Sequence, residues 1–278
     1  MKIAWVSCLE LPEPDPDEGE GLATFRARGH DVEVVAWDDP ELQLEGFDLA
    51  LLRSTWNYPR RPEAFRQFLT QAPDHLWNPS RVGLWNMHKG YLLELERGGV
   101  PIVPTALGRP GEDAGALARA RGWSEVVVKP AVGADSIGVQ RFADLDAATA
   151  HGHTLAGDFL VQPALAAFGD PGERSLIWVH GVFTHTIVKG LRLSGDHEAI
   201  RLVGPEPSPE AQALGRQALA FAPADLLYAR VDYIHHEGRL LLSELELIEP
   251  SLFWSLGGAA TASAEQLVRG VEALGRAR

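Results

Sequence analysis

Ser243-Glu244-Leu245-Glu246-Leu247-Ile248-Glu249-Pro250 follows the shorter stretch Arg230-Val231-Asp232 after a turn at His236-Glu237-Gly238. Side chains alternate along a strand, so Arg230 and Asp232 share one face of the first stretch and Glu244 and Glu246 one face of the second. The spacing predicts two adjacent antiparallel strands on which Asp232, Glu244 and Glu246 converge. Uncompensated carboxylates that close repel each other, and hard oxygen ligands of this kind suit Mg²⁺, which takes few carboxylates plus phosphate oxygens and water. The same residues also fit the solvated outer face of an edge strand, where acids are common.

Upstream, Val126-Val127-Val128-Lys129-Pro130 reads as a buried strand that delivers one lysine to its end. The loop after it carries Gly133, Ser136 and Gly138, and glycines let backbone N–H groups come close to phosphate oxygens. It is not a Walker A loop, because Val139 stands where the lysine belongs and a strand follows instead of a helix. On its own it reads as a plain connection in a β-hairpin. Glu173 in Gly172-Glu173-Arg174, and then Lys189 and Arg201, read singly as surface residues. The pairs His151-Gly152-His153 and His235-His236 lack a third ligand at zinc spacing and read as turn or surface residues.

Working toward the N-terminus, apolar runs at 3–7, 31–37 and 47–53 separated by polar or glycine-bearing segments give an α/β rhythm. The acidic, proline-rich stretch 12–21 reads as a solvated loop, with a helix resuming at Leu22. Arg53-Ser54-Thr55-Trp56-Asn57-Tyr58 sits at the C-terminal end of a predicted strand, where open α/β sheets bind ligands; a turn whose aromatics cap the core fits equally. Helices are expected over 62–69, 86–97, 209–221 and 262–274, and the texture from 125 onward is mainly strands. This divides the chain into 1–85, 86–161 and 162–278.

At 278 residues the chain can bury a substantial core and accommodates about two domains of typical size. With 25 Lys and Arg against 38 Asp and Glu, the net charge of −13 repels a phosphate backbone, which disfavours nucleic acid as the main partner. The only cysteine, Cys8, excludes an intrachain disulfide and points to a reducing compartment. No apolar run approaches the roughly 20 residues a bilayer requires, and the N-terminal stretch lacks a small-residue cleavage site. A cytoplasmic protein without a membrane partner is expected.

Taken in order, these features resemble the ATP-grasp superfamily, the fold of D-alanine:D-alanine ligase and prokaryotic glutathione synthetase. The resemblance runs across most of the chain and implies a Rossmann-like α/β domain followed by two lobes that clamp ATP. It implies that Lys89 and Lys129 reach the nucleotide phosphates, that Gly133 and Ser136 belong to the loop covering them, and that Gln162, Pro163 and Leu165 form the hinge that reads adenine. It further implies that Glu173 holds the ribose, that Lys189, Arg201 and Arg230 serve the transferring phosphate, and that Asp232, Glu244 and Glu246 bind metal. The superfamily usually carries asparagine where this chain has Glu246. Arg53–Tyr58 and Glu244–Phe253 look most similar to the branch containing the cyclo-ligase of cycloserine biosynthesis.

The resemblance implies an ATP- and Mg²⁺-dependent carboxylate–amine ligase that works through an acyl phosphate, with intramolecular closure left open. A kinase of the same fold and a nucleotide-binding regulatory protein are the alternatives. Arg53, Trp56 and Asn57 are the candidates for gripping a small amino-acid- or peptide-like carboxylate, with Arg53 as a bidentate clamp. A homodimer is the assembly entertained.

Overall fold

The computed structural model describes residues 1–134, 137–169, 172–190, 200–203 and 208–276. β1 (Lys2–Ser7), β2 (Asp31–Ala36), β3 (Leu49–Leu52) and β4 (Leu76–Trp77) form a parallel sheet in the order β2-β1-β3-β4. Helices α1 (Glu18–Ala27), α2 (Pro62–Gln71) and α3 (Ser80–Asn86) belong to the same segment. Because side chains alternate along β1, Ala4 and Val6 join a core with Leu52 and with Phe65 and Leu69 of α2. Ile3 and Trp5 join a different core, shared with Phe25 of α1 and with Ile177, Tyr228 and Val268 from later in the chain.

Two sequence expectations change here. The stretch 12–21 is not a solvated loop throughout: α1 starts at Glu18 and Asp17 is fully buried, because its carboxylate has Arg53 and two backbone N–H groups as partners. The helix expected over 86–97 is two helices, α3 and α4 (Tyr91–Arg97). In the turn between them the Lys89 backbone N–H donates to Ala131 O at 2.7 Å, which tethers Lys89 to the end of the lysine-bearing strand.

The second sheet is antiparallel, with β5 (Ala106–Gly108), β6 (Val126–Pro130), β7 (Gln140–Phe142) and β8 (Phe159–Pro163) in the order β5-β8-β6-β7. Alanines of α5 (Ala114–Arg119) and α6 (Leu145–Gly152) let these helices lie close against Val126, Val128, Phe159 and Val161. β8 runs on to Pro163, past the boundary expected at 161.

The third sheet holds β9 (Glu173–Val179), β10 (Val182–Lys189), β11 (Ile200–Val203), β12 (Tyr228–His236) and β13 (Arg239–Glu246) in the order β11-β10-β9-β12-β13. It is also antiparallel, and α7 (Pro209–Leu219) and α8 (Ala259–Arg276) pack on it. An edge strand needs partners for its backbone groups. β13 finds them in backbone at Leu242, which exchanges hydrogen bonds with Pro101 O and Val103 N, and in side chains beyond it: Asn86 bonds Leu245 O at 3.0 Å and, just past the strand, Leu247 N at 2.9 Å, and Tyr91 Oη accepts from Leu245 N at 2.8 Å. The overall architecture is the one the resemblance implies, a parallel N-terminal sheet ahead of two antiparallel ones. Among the described residues no helix is long and apolar enough to cross a membrane.

Candidate active site

A cleft of about 740 Å³ is lined by the second sheet, the third sheet and the N-terminal segment together. The ladder between β12 and β13 sets Arg230 opposite Glu246 and Asp232 opposite Glu244, so the strand alternation read from the sequence carries all four side chains to the cleft.

Cations and carboxylates interleave along this wall. Lys89 donates to Gly133 O at 2.7 Å and pairs with Glu244 at 2.9 Å. Lys189 bonds Asp232 at 2.6 Å and Glu173 at 2.9 Å, and Glu173 also accepts from Ser243 Oγ. Arg230 bonds Asp232 at 3.0 Å and also Glu246. Among the described residues, the Lys129 ammonium makes no hydrogen bond or ion pair, and burial pulls it below the ordinary lysine range. Against the burial that would raise it, the Arg230 and Lys189 charges hold the Asp232 carboxyl down to about 2. Lys89 and Lys129 likewise lower Glu244 against its burial. Glu246 goes the other way: burial, with Asp232 and Glu244 adding to it, pushes its carboxyl up to about 7 despite Arg230.

The carboxylates expected as metal ligands are not gathered around one point. Among the described residues no three His, Cys, Asp or Glu groups stand close enough to hold a metal. The reason is local pairing: Glu244 is drawn to Lys89, and Asp232 to Arg230 and Lys189. The donor set nonetheless fits a hard divalent cation. It is all carboxylate oxygen, the ligand type such a cation takes.

At the other end of the cleft, Gln162, Pro163 and Leu165 line the wall, with the Gln162 amide anchored to Thr105 Oγ1 at 2.8 Å. Ser136 lies outside the described residues. Arg201 is exposed and lines a smaller cavity of about 240 Å³ that shares Lys189 with the main cleft.

Of Arg53, Trp56 and Asn57, expected to grip the acceptor, Trp56 alone lines the cleft, and it donates from Nε1 to Glu249 O at 3.2 Å. Arg53 is 1% exposed, bonded to Asp17 and to Pro250 O, and enclosed by the rings of Trp5, Tyr228 and Trp254. It cannot clamp a substrate from there. Asn57 bonds Trp37 and Asp38 instead. Sequence reasoning missed Tyr58 and Phe253 as walls of this end. Both lie inside quoted stretches, but strand spacing does not say where a loop side chain points. It also missed Asp17, whose signal was an N-cap residue ahead of Glu18 and Glu20.

Known proteins match this chain in sequence and in fold. A family model described as "D-cycloserine synthetase DcsG, N-terminal domain" matches residues 3–78. The cycloserine biosynthesis protein DcsG of Streptomyces lavendulae is 31% identical over 256 residues, 83% of this chain and 85% of that protein. The crystal structure of D-cycloserine synthetase DcsG superposes with a TM-score of 0.89 at 26% identity, covering 99% of this chain and all of that one. D-alanine–D-alanine ligase of Bacillus anthracis, solved with ATP, superposes with a TM-score of 0.72 at 16% identity, covering 100% and 98% of the two chains, a likeness of fold.

Proposed function

The chain belongs to the D-cycloserine synthetase DcsG family and is an ATP-dependent ligase, and we propose that it joins a carboxylate to an amine of a small amino-acid-like substrate through an acyl phosphate. The observation that carries this reading is the convergence of Lys89, Lys129, Lys189 and Arg230 on one cleft, four cations where a triphosphate needs charge offset. Asp232, Glu244 and Glu246 would hold Mg²⁺, which when bound offsets charge on the phosphate oxygens.

In this reading a substrate carboxylate oxygen attacks the γ-phosphorus and the bond to the bridging oxygen breaks, releasing ADP. A nitrogen then attacks the acyl carbonyl, loses a proton and expels phosphate. Arg230 and Lys189 stabilise the transferring group and the tetrahedral oxyanion, while the wall of Trp56, Tyr58 and Phe253 positions the acceptor. The family's named product is cyclic, which supports a nucleophile within the same molecule.

The experiment has two arms. Mg²⁺ and ATP together should raise the melting temperature, and Lys129→Ala should abolish most of that shift; about 2.7 kcal/mol of stabilisation is expected at a hundredfold excess over Kd. Amino acids are then screened for stimulated ADP release, and the product is weighed. Substrate less one water means intramolecular closure, a phosphorylated product means a kinase, and no stimulation by any candidate removes the amino-acid-like substrate.

A further inference from the structure

Three described non-glycine residues have positive φ: His180, Glu237 and Phe253. The first two each precede a glycine in a two-residue hairpin turn, where that conformation is ordinary. Phe253 is in no hairpin. It sits at φ 61°, ψ 36° in the loop between β13 and α8, 6% exposed, and lines the cleft. A side-chain-bearing residue stays left-handed only where its surroundings impose it, and such residues cluster at functional sites.

The surroundings here come from the N-terminal domain. The N–H groups on either side of Phe253 each donate to one oxygen of Asp17, Leu252 N at 2.5 Å and Trp254 N at 2.9 Å. Backbone N–H groups turned to one side in this way form a concavity for an anion, and the anion is the Asp17 carboxylate. Arg53 pairs with that carboxylate at 3.4 Å and donates to Pro250 O at 3.0 Å, while His185 donates to Leu252 O at 2.9 Å. The loop's backbone is therefore gripped on both sides of Phe253. The side chain so aimed lies with its ring centroid 5.6 Å from the guanidinium carbon of Arg230, a cation–π contact inside the cleft.

We propose that Asp17 is a positioning residue: by holding Phe253 in the left-handed conformation it fixes the Phe253 ring against Arg230 and so, together with the hydrogen bonds to Asp232 and Glu246, sets Arg230 at the acceptor end of the cleft. The acceptor role rests on the ligase reading; the positioning does not.

The test combines folding and turnover in the full-length protein. Asp17→Asn keeps one acceptor oxygen and turns an amide NH₂ toward the second N–H group. Its effect on the urea midpoint is measured in three backgrounds: wild type, Phe253→Gly and Phe253→Ala. Glycine adopts positive φ freely, whereas alanine keeps the strain without the ring. The midpoint shift should shrink to about half or less in the glycine background and persist in the alanine background. Equal shifts in all three would reduce Asp17 to an ion-pair partner of Arg53 and overturn the proposal. Should Asp17→Asn fail to fold alone, recovery by Phe253→Gly supports the proposal and failure in both backgrounds counts against it. In turnover, Asp17→Asn should lower amino-acid-stimulated ADP release about tenfold while Mg²⁺–ATP affinity stays within about twofold. An unchanged rate per folded molecule overturns the positioning role. A wild-type protein that no amino acid stimulates would sink the amino-acid acceptor and leave the folding cycle to decide the rest.

Discussion

Lys189, on β10, reaches past β9 to donate to Asp232 on β12 at 2.6 Å, and its ammonium meets Glu173 at 2.9 Å on the way. One cation thus ties together two carboxylates from two strands. Replacing it with methionine leaves Asp232 its Arg230 partner, so Lys189→Met should fold with a loss of about 1–3 kcal/mol. ADP release should fall at least about 100-fold, because a charge at the transferring phosphate is gone. Urea denaturation and an ADP assay on the same preparation check both halves, and near-normal turnover would remove Lys189 from the chemistry.

Glu246 should show stability and activity pulling apart. Its carboxyl titrates at about 7 in the folded protein against an ordinary 4.5. A raised carboxyl contributes stability at low pH that is lost as pH rises through the folded value. The neutral amide of Glu246→Gln should therefore raise stability at about pH 8, by about 1 kcal/mol given that the side chain is 30% exposed to the cleft. At about pH 5 the two proteins should differ little. The Mg²⁺ concentration for half-maximal rate should rise at every pH. An unchanged Mg²⁺ requirement would take Glu246 off the ligand set.

His185 predicts an acid limb of a different kind. It is buried, and burial lowers its imidazole from 6.5 to about 4 although Leu252 O accepts its hydrogen bond. Between those two values the unfolded chain binds a proton that the folded site refuses, so stability falls as pH drops through that window, by about 3 kcal/mol in full. Urea midpoints of wild type and His185→Gln at about pH 7 and about pH 4.5 should diverge in slope. Parallel loss in both would assign the limb to other groups.

Gly172 precedes β9 at φ +91°, and a Cβ there would stand 2.7 Å from Lys189 O. Backbone on the far side cannot swing away as a side-chain tip can. Gly172→Ala should cost about 1–3 kcal/mol and weaken ATP binding through Glu173 and Lys189. Calorimetric titration of ATP into the variant checks this, and wild-type affinity would mean that β10 shifts without disturbing Lys189.

Much of the third sheet was legible in the sequence because the signal there is a period of two. Alternation alone assigns Arg230, Asp232, Glu244 and Glu246 to their faces, and the ladder pairs them across two strands. Lys89 was legible as a residue but not as a break between helices, since the apolar spacing of Met87, Tyr91, Leu92 and Leu95 runs straight through the turn. Arg53 misled for a physical reason: an arginine at a strand end reads as a ligand clamp unless its partner is visible. That partner, Asp17, lies 36 positions earlier in a stretch whose composition resembles solvated loop. Long-range pairing of buried charges leaves no local period to detect.

The segment that the family model matches, residues 3–78, owns only one of the two cores its sheet packs on. Ala4 and Val6 are covered mostly from within, but Ile3 and Trp5 need Ile177, Tyr228 and Val268 beside Leu22 and Phe25. Severed from the remainder, the segment would bare a tryptophan-bearing sheet face to water and lose Tyr228, whose hydroxyl donates to Leu52 O, from its middle. What sequence comparison delimits as a module is thus half of a cooperative unit, and the first and last thirds of this chain should melt in one transition.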